Sequence, residues 1–236
     1  MSEWTENDSA IYREIAHIAV PRREEMLRTL LAAVPFVKDE PFRSVELGSG
    51  EGQLAAALLE AFPQSTLTAL DGSESMRAQT SGRLAPFGDR ARVRAFEIAS
   101  LDWWDVMFGA DLVVSSLCLH HLNDAKKQYL YKAAADRMSA RGALLIADLV
   151  APMHPSARRA AADEWDASAS AQATALGRPE LYQRFIAAEW NHFRFPGEMD
   201  RPAALFHHLV WLKHAGFAAV ECYWTFAGHA VFGGLK

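Results

Sequence analysis

The sequence predicts an α/β protein built on a mostly parallel sheet with a reversed last strand, preceded by N-terminal helices and interrupted by a helical insertion. Three observations carry this expectation. From residue 43 onward, short runs that are apolar almost throughout alternate with amphipathic helical patterns, as parallel strands covered on both faces require. The first run, Arg43-Ser44-Val45-Glu46-Leu47, opens into Gly48-Ser49-Gly50-Glu51-Gly52 and then an alanine- and leucine-rich helix. That is the strand–turn–helix grammar of a nucleotide-binding crevice. The last two runs, 218–225 and 229–235, are separated only by Phe226-Ala227-Gly228. So short a connection cannot join parallel strands, so they form a hairpin and the final strand runs against its sheet.

Taken in order, residues 8–18 place Ile11, Ile15 and Ile18 at helical spacing. Pro21 restarts a second helix, with Met26, Leu27, Leu30, Leu31 and Val34 as its apolar face. Lacking a strand of their own, these helices read as a cap, residues 1–40, packed over the sheet edge or over the cleft. Pro35 and Pro41 bracket the loop into the core, residues 41–236. Strands are expected at about 43–47, 65–70, 92–97, 110–116 and 142–149, with helices at about 51–62, 73–84 and 123–138 and a short helical segment near 101–107. Residues 151–200 break the rhythm: alanine-rich and helical, they carry Trp165, Trp190 and Phe193 and close on Arg194-Phe195-Pro196-Gly197. They read as an inserted helical lid. A helix at about 202–215 stops at Gly216, a natural C-cap.

A chain of 236 residues, half of them hydrophobic, suits one large α/β domain with an insertion. The net charge of −5 and pI of about 6.0 give no general attraction for nucleic acid or anionic membrane. Arg22-Arg23 and Arg158-Arg159 read as solvated helix faces. No uncharged apolar run approaches the roughly 20 residues that span a bilayer, and Ser2-Glu3-Trp4-Thr5-Glu6-Asn7-Asp8 is unlike a signal peptide. The expectation is a cytoplasmic protein. Cys118 and Cys222, each in an apolar strand-like setting, are expected as buried free thiols in a reducing compartment. Oligomeric state leaves no signature in the sequence.

The glycine turn narrows the ligand. Gly48, Gly50 and Gly52 remove the Cβ atoms that would hold a ligand off the backbone. Asp71 ends the second strand, 21 positions past Gly50, close to the offset of about 20 expected for an acid that grips a ribose diol. An adenosine cofactor follows, and the choice lies between a nicotinamide dinucleotide and S-adenosylmethionine. The dinucleotide fingerprint wants a third glycine where Gln53 stands, and Glu46 in front of the turn would repel a pyrophosphate. A cationic amino-acid tail suits Glu46 better, so charge favours S-adenosylmethionine.

These residues resemble the class I S-adenosylmethionine-dependent methyltransferases over roughly residues 43–236. The resemblance implies a Rossmann-like seven-stranded sheet with a reversed last strand, S-adenosyl-L-methionine as cofactor and S-adenosyl-L-homocysteine as product. It matches Glu46, Gly48, Ser49, Gly50 and Gly52 to the family's first motif, Asp71 before Gly72 to its ribose acid, and Met76 to a residue touching the adenosine. Glu97, followed by Ile98, falls where the family keeps an acid near the adenine, although aspartate is more usual there. Ser115 opens the segment through Leu122 that resembles the motif after the fourth strand. Trp103 is placed near the adenine side.

His120 and His121 follow the fourth strand, where the methyl group should emerge. One of them serves as a base toward the acceptor or merely positions the loop; methyl transfer itself requires only that the acceptor be held in line. Tyr12, Trp165, Trp190, His192, Arg194, Trp224 and His229, from the parts outside the core, are expected to enclose an apolar pocket for a small-molecule acceptor, an O, N, S or C nucleophile. Asp148 either reaches the cleft or caps the following segment. No metal is expected: Asp102 and Asp105 on a short helix lack further ligands. Two other readings stay open. One is a tRNA-modifying transferase or an enzyme of a carboxylated sulfonium cofactor, with Arg194 or Arg201 as counter-ion, although net acidity disfavours RNA. The other is a non-catalytic, cofactor-binding partner subunit.

Overall fold

The computed structural model describes residues 5–100 and 103–236. Among these described residues seven strands, β1 (Arg43–Leu47), β2 (Thr66–Asp71), β3 (Ala91–Ala95), β4 (Leu112–Ser116), β5 (Ala143–Leu149), β6 (Ala219–Phe226) and β7 (His229–Leu235), form one sheet in the order β3-β2-β1-β4-β5-β7-β6. The five strands from β3 to β5 are parallel neighbours. β7 runs antiparallel against β5, from Ala143↔Leu235 to Leu149↔His229, so the expected reversal is present. The β6–β7 turn consists of Ala227 (φ 46°) and Gly228 (φ 72°), the paired left-handed residues that a tight two-residue hairpin turn demands. Because of that register, His229 lies beside Leu149 at the carboxyl end of β5.

The chain builds outward from β1 in one direction through β2 and β3, then in the other through β4 and β5. The crevice between β1 and β4, at their carboxyl ends, is therefore the switch point where ligands bind in open α/β sheets.

The described residues form eight helices around the sheet: α1 (Glu6–Ala19), α2 (Arg23–Ala32), α3 (Gln53–Ala61), α4 (Glu74–Leu84), α5 (Asp124–Arg137), α6 (Pro155–Ala175), α7 (Glu180–Ala187) and α8 (Leu205–Ala215). Their starts follow from local chemistry. Thr5 and Asp8 form a capping box at α1, Ser73 Oγ accepts from Met76 N at α4, and Asn123 Oδ1 accepts from Lys126 N at α5. Gly216, with φ 113°, ends α8 as expected. β5 is buried along its whole length, and its side chains divide by the strand's period of two. Leu145, Ala147 and Leu149 join the core under α1, α2, α3 and α6, whereas Leu144 and Ile146 join the core under α5 and α8.

α6 and α7 pack on α1. Trp165 Nε1 donates to Ala19 O at 2.9 Å, Gln172 donates to His17 O and Val20 O, and Arg184 pairs with Glu14. The N-terminal helices and the insertion are thus one joined layer, and α2 lies across β5, β7 and the edge strand β6.

Several expectations shift. β3 ends at Ala95, so Glu97 belongs to the loop beyond it. The segment near 101–107 is a short 3-10 turn, Trp104–Met107; Asp102 lies outside the described residues, and Asp105 pairs with Arg94 at 3.0 Å. Cys222 is exposed, not buried, because β6 is an edge strand, and Cys118 is half-buried in the loop after β4. Arg23 is half-buried and turned inward, while Arg22 is exposed and lies over the Phe226 ring.

Candidate active site

The carboxyl ends of β1, β2 and β4, the first helices and the end of the insertion enclose a cavity of about 890 Å³. At one end is the glycine turn. Gly48 N and Ser49 N both donate to Leu70 O at 2.9 Å, which straps the turn to β2. Asp71 holds it from the side: Oδ2 accepts from Gly50 N at 2.7 Å and Oδ1 from Ser73 N at 2.9 Å. Each oxygen retains a second lone pair for a ribose hydroxyl. Burial raises the Asp71 pKa, and those two backbone N–H groups oppose the rise.

The glycines have unequal roles. A Cβ on Gly48 would sit 2.4 Å from Cys118 Sγ, and one on Gly52 would meet Thr80 at 3.1 Å. Those two glycines make room for the protein itself, in contrast to the expectation that all three make room for a ligand. Only at Gly50 does nothing lie within 4 Å.

Glu46 is the most informative side chain at this end. It is 1 % exposed, faces the cavity, and among the described residues its Oε2 has no hydrogen-bond partner. Burial, reinforced by the Asp71 charge and only partly offset by Arg23, pushes its pKa well above the ordinary carboxylate range. A buried carboxylate oxygen left this way is costly unless a cation or donor meets it. Arg23 lines the same space, donates to the Tyr12 hydroxyl, and leaves its Nε without a partner among the described residues. Gly72, Met76, Glu97 and Ile98 also line the cavity, as expected. Ser115 does not: its hydroxyl donates to Leu47 O at 2.9 Å inside the sheet, and its neighbour Ser116 faces the cavity instead, as strand alternation dictates. Trp103 lies behind the wall, donating to Glu97 O and meeting Phe96 edge-on.

The lining also holds three imidazoles, His120, His121 and His192, and the Asp200 carboxylate, with the Asp148 carboxylate behind His120. His120 Nδ1 lies 2.5 Å from Asp148 Oδ1, and His120 N donates to Asp148 Oδ2 at 3.0 Å. Asp148 therefore reaches the cleft through His120. Burial works against a charge on His120, but Asp148 and then Asp200 outweigh it and raise its pKa. His121 Nδ1 is 3.2 Å from Asp200 Oδ1, and His192 Nδ1 is 3.6 Å from Asp200 Oδ2. Burial lowers both of these imidazole pKa values, and the His120 charge adds to the effect. Asp200 is held well below its usual range by its histidines despite its burial. The loop carrying it is fixed by Arg201 N donating to His120 O at 2.7 Å and by the buried Lys127 donating to Leu122 O and Arg201 O.

Of the residues expected to form the acceptor pocket, Tyr12, Trp165, Trp190, His192, Arg194 and His229 line the cavity. Trp165 meets His229 edge-on at 4.6 Å, and Tyr12 and Trp190 lie 5.8 Å apart. His229 donates from Nδ1 to Ala227 O, and burial lowers its pKa to about 4. Trp224 lies elsewhere, on the edge strand β6, donating to Glu25 Oε1 at 3.1 Å. Arg194 is paired with Asp163 and Asp166, and Arg201 Nε donates to Glu198 O. Asp200 and Arg23 were not singled out from sequence as cavity residues. An acid in an irregular loop and an arginine on a helix carry no periodic signal.

Residues 45–144 match the family described as a methyltransferase domain. Among curated proteins, trans-aconitate 2-methyltransferase of Streptomyces avermitilis is 32% identical over 90 residues, covering 38% of this chain and 33% of that protein. Among solved structures, an O-methyltransferase family protein from Burkholderia thailandensis superimposes with a TM-score of 0.66 at 16% identity, over 90% of this chain and 55% of that one. PigF with SAH gives 0.60 at 16% identity, over 98% and 59%. The chain spans about a third of that curated relative and little more than half of those structures. Residues 45–144 thus resemble a methyltransferase domain, and the fold is shared with solved methyltransferase structures. Among the described residues no helix is long and apolar enough to cross a membrane.

Proposed function

We propose that this protein transfers a methyl group from S-adenosyl-L-methionine to an oxygen of a small-molecule acceptor, leaving S-adenosyl-L-homocysteine. The observation that carries the reading is the buried Glu46 carboxylate, with Oε2 unpartnered among the described residues beneath a glycine turn. It fits the ammonium of the cofactor's amino-acid tail, and Arg23 beside it fits the carboxylate of the same tail. Asp71 supplies acceptor lone pairs for the ribose, and Met76 and Ile98 supply apolar surface for the base. S-adenosyl-L-methionine held there would supply an electrophilic sulfonium methyl carbon to an acceptor oxygen.

The chain's own residues bind, orient and exclude water. His120, held by Asp148, and His121, beside Asp200, line the same cavity and orient the acceptor's hydroxyl group. Trp165, Trp190 and Tyr12 give the acceptor an apolar enclosure, in which residues 1–40 act as a cap and 151–200 as a lid. An oxygen acceptor is supported by the O-methyltransferase named above, and a small acceptor by the enclosed volume.

The test is titration calorimetry with S-adenosylmethionine on the wild type and on Asp71→Ala, followed by mass spectrometry of hydroxylated and carboxylated acceptors. Saturable binding that Asp71→Ala removes, and methyl-ester or methyl-ether products, are expected. No cofactor binding by the wild type would sink the reading.

A further inference from the structure

We propose that His120, His121 and Asp200 form a binding site for a divalent first-row transition cation in the histidine end of the cavity, supported by Asp148 and His192. The three ligand atoms, His120 Nε2, His121 Nδ1 and an Asp200 carboxylate oxygen, lie within 4.8 Å of one another. His121 Nδ1 is 3.2 Å and His120 Nε2 3.5 Å from Asp200 Oδ1. Donors bound to one cation at 2.0–2.2 Å stand about 3.0–3.5 Å apart, depending on the bond angle. The two histidine–Asp200 separations fall in that range. They fit direct hydrogen bonding less well, since His120 Nε2 and His192 Nδ1, at 3.5 and 3.6 Å, stand beyond its usual reach. One carboxylate faces three rings as though spaced around a common centre.

Orientation points the same way. The His120 Nδ1–H is committed to Asp148, which leaves Nε2 as the lone-pair nitrogen directed at the cluster. Asp148 is itself 1 % exposed and fixed by the backbone N–H groups of His120 and Leu149. A carboxylate behind an imidazole is the usual support of a metal-ligating histidine. A second, independent sign is His192: 7 % exposed, it presents an Nδ1 with no hydrogen-bond partner among the described residues to the far oxygen of Asp200.

The donor set narrows the ion. Two imidazoles and one carboxylate suit zinc, cobalt, iron or nickel, and disfavour magnesium and calcium, which prefer all-oxygen shells. Three protein ligands leave positions on the cavity side for an acceptor's oxygen, so the site's use rests on the methyltransferase reading, although cation binding does not.

The test uses the full chain, stripped with EDTA and titrated with Co2+ alone while visible absorption is recorded, then with Zn2+ in competition. One equivalent is expected. Asp200→Asn and His121→Ala should each weaken it at least about 10-fold, and Asp148→Asn by roughly 10- to 100-fold. The exposed His154→Ala and His207→Ala should leave it unchanged. Circular dichroism melting shows that each variant is folded. No stoichiometric Co2+ uptake by the wild type, or unchanged affinity in both folded Asp200→Asn and His121→Ala, overturns the proposal. Cofactor titration in a separate cell keeps the two readings apart: cobalt binding without cofactor binding overturns the methyltransferase reading alone, and the converse overturns the metal site alone.

Discussion

At the glycine end of the cavity, the atoms that shape the site are largely backbone groups of one strand–turn–helix unit, locked by Asp71 and the carbonyl of Leu70. At the histidine end the shaping atoms are side chains, and they arrive from separate segments: His120 and His121 after β4, Asp148 from β5, and His192 and Asp200 from the end of the insertion. The first end presents a cradle fixed by the backbone itself. The second presents replaceable chemistry on a shared floor, so substitutions at the two ends should move different observables.

The largest effect is expected from Asp71→Ala. It removes the acceptor of two backbone N–H groups at once, so cofactor affinity should fall about 100-fold or more by calorimetry, the sum of two charge-assisted hydrogen bonds. Next comes Asp148→Asn, which loosens His120 while leaving the turn intact. Turnover should drop roughly 10- to 100-fold in steady-state kinetics, with the cofactor dissociation constant unchanged; a parallel loss of cofactor binding would erase the distinction between the ends.

Glu46→Gln sharpens it differently. Because burial raises the pKa of Glu46 in the folded chain, its contribution to stability is present below its unfolded pKa and lost as pH rises through the folded one. The variant should therefore melt above the wild type at neutral pH by about 1–3 kcal/mol of stability, with the gap closing in acid. Its cofactor affinity should be about 10-fold weaker at neutral pH and nearly flat with pH, whereas the wild type's weakens as Glu46 takes up its proton. The smallest effect falls on single aromatic residues. Trp190→Ala should raise the acceptor KM several-fold by loss of apolar contact, and Trp224→Ala, on the far strand, should leave both KM values unchanged.

The same contrast explains what could be read from the sequence. The strand positions, the reversed hairpin and the glycine turn were legible because each is set by spacing within a few residues, as in Phe226 to His229. Glu46 and Asp71 were legible because an acid at a strand end is itself a pattern. Ser115 was placed one residue from the true cavity residue, Ser116, because a strand's alternation cannot be phased without its neighbours. Trp224 was misplaced because an aromatic residue near the C-terminal hairpin looks the same on the cleft strand as on the edge strand. Asp200 was not singled out because its role exists only once the insertion folds back to His120.

The strap from Trp165 to Ala19 joins residues 146 positions apart, whereas the bond from Asp71 to Gly50 spans 21. Near contacts form early and distant ones wait for the intervening chain to collapse. Pulse-labelled hydrogen exchange should thus show β1, β2 and the glycine turn protected before α1 and α6. On the proposed function, the turn would then be ready to hold a cofactor before the walls proposed to meet the acceptor have formed.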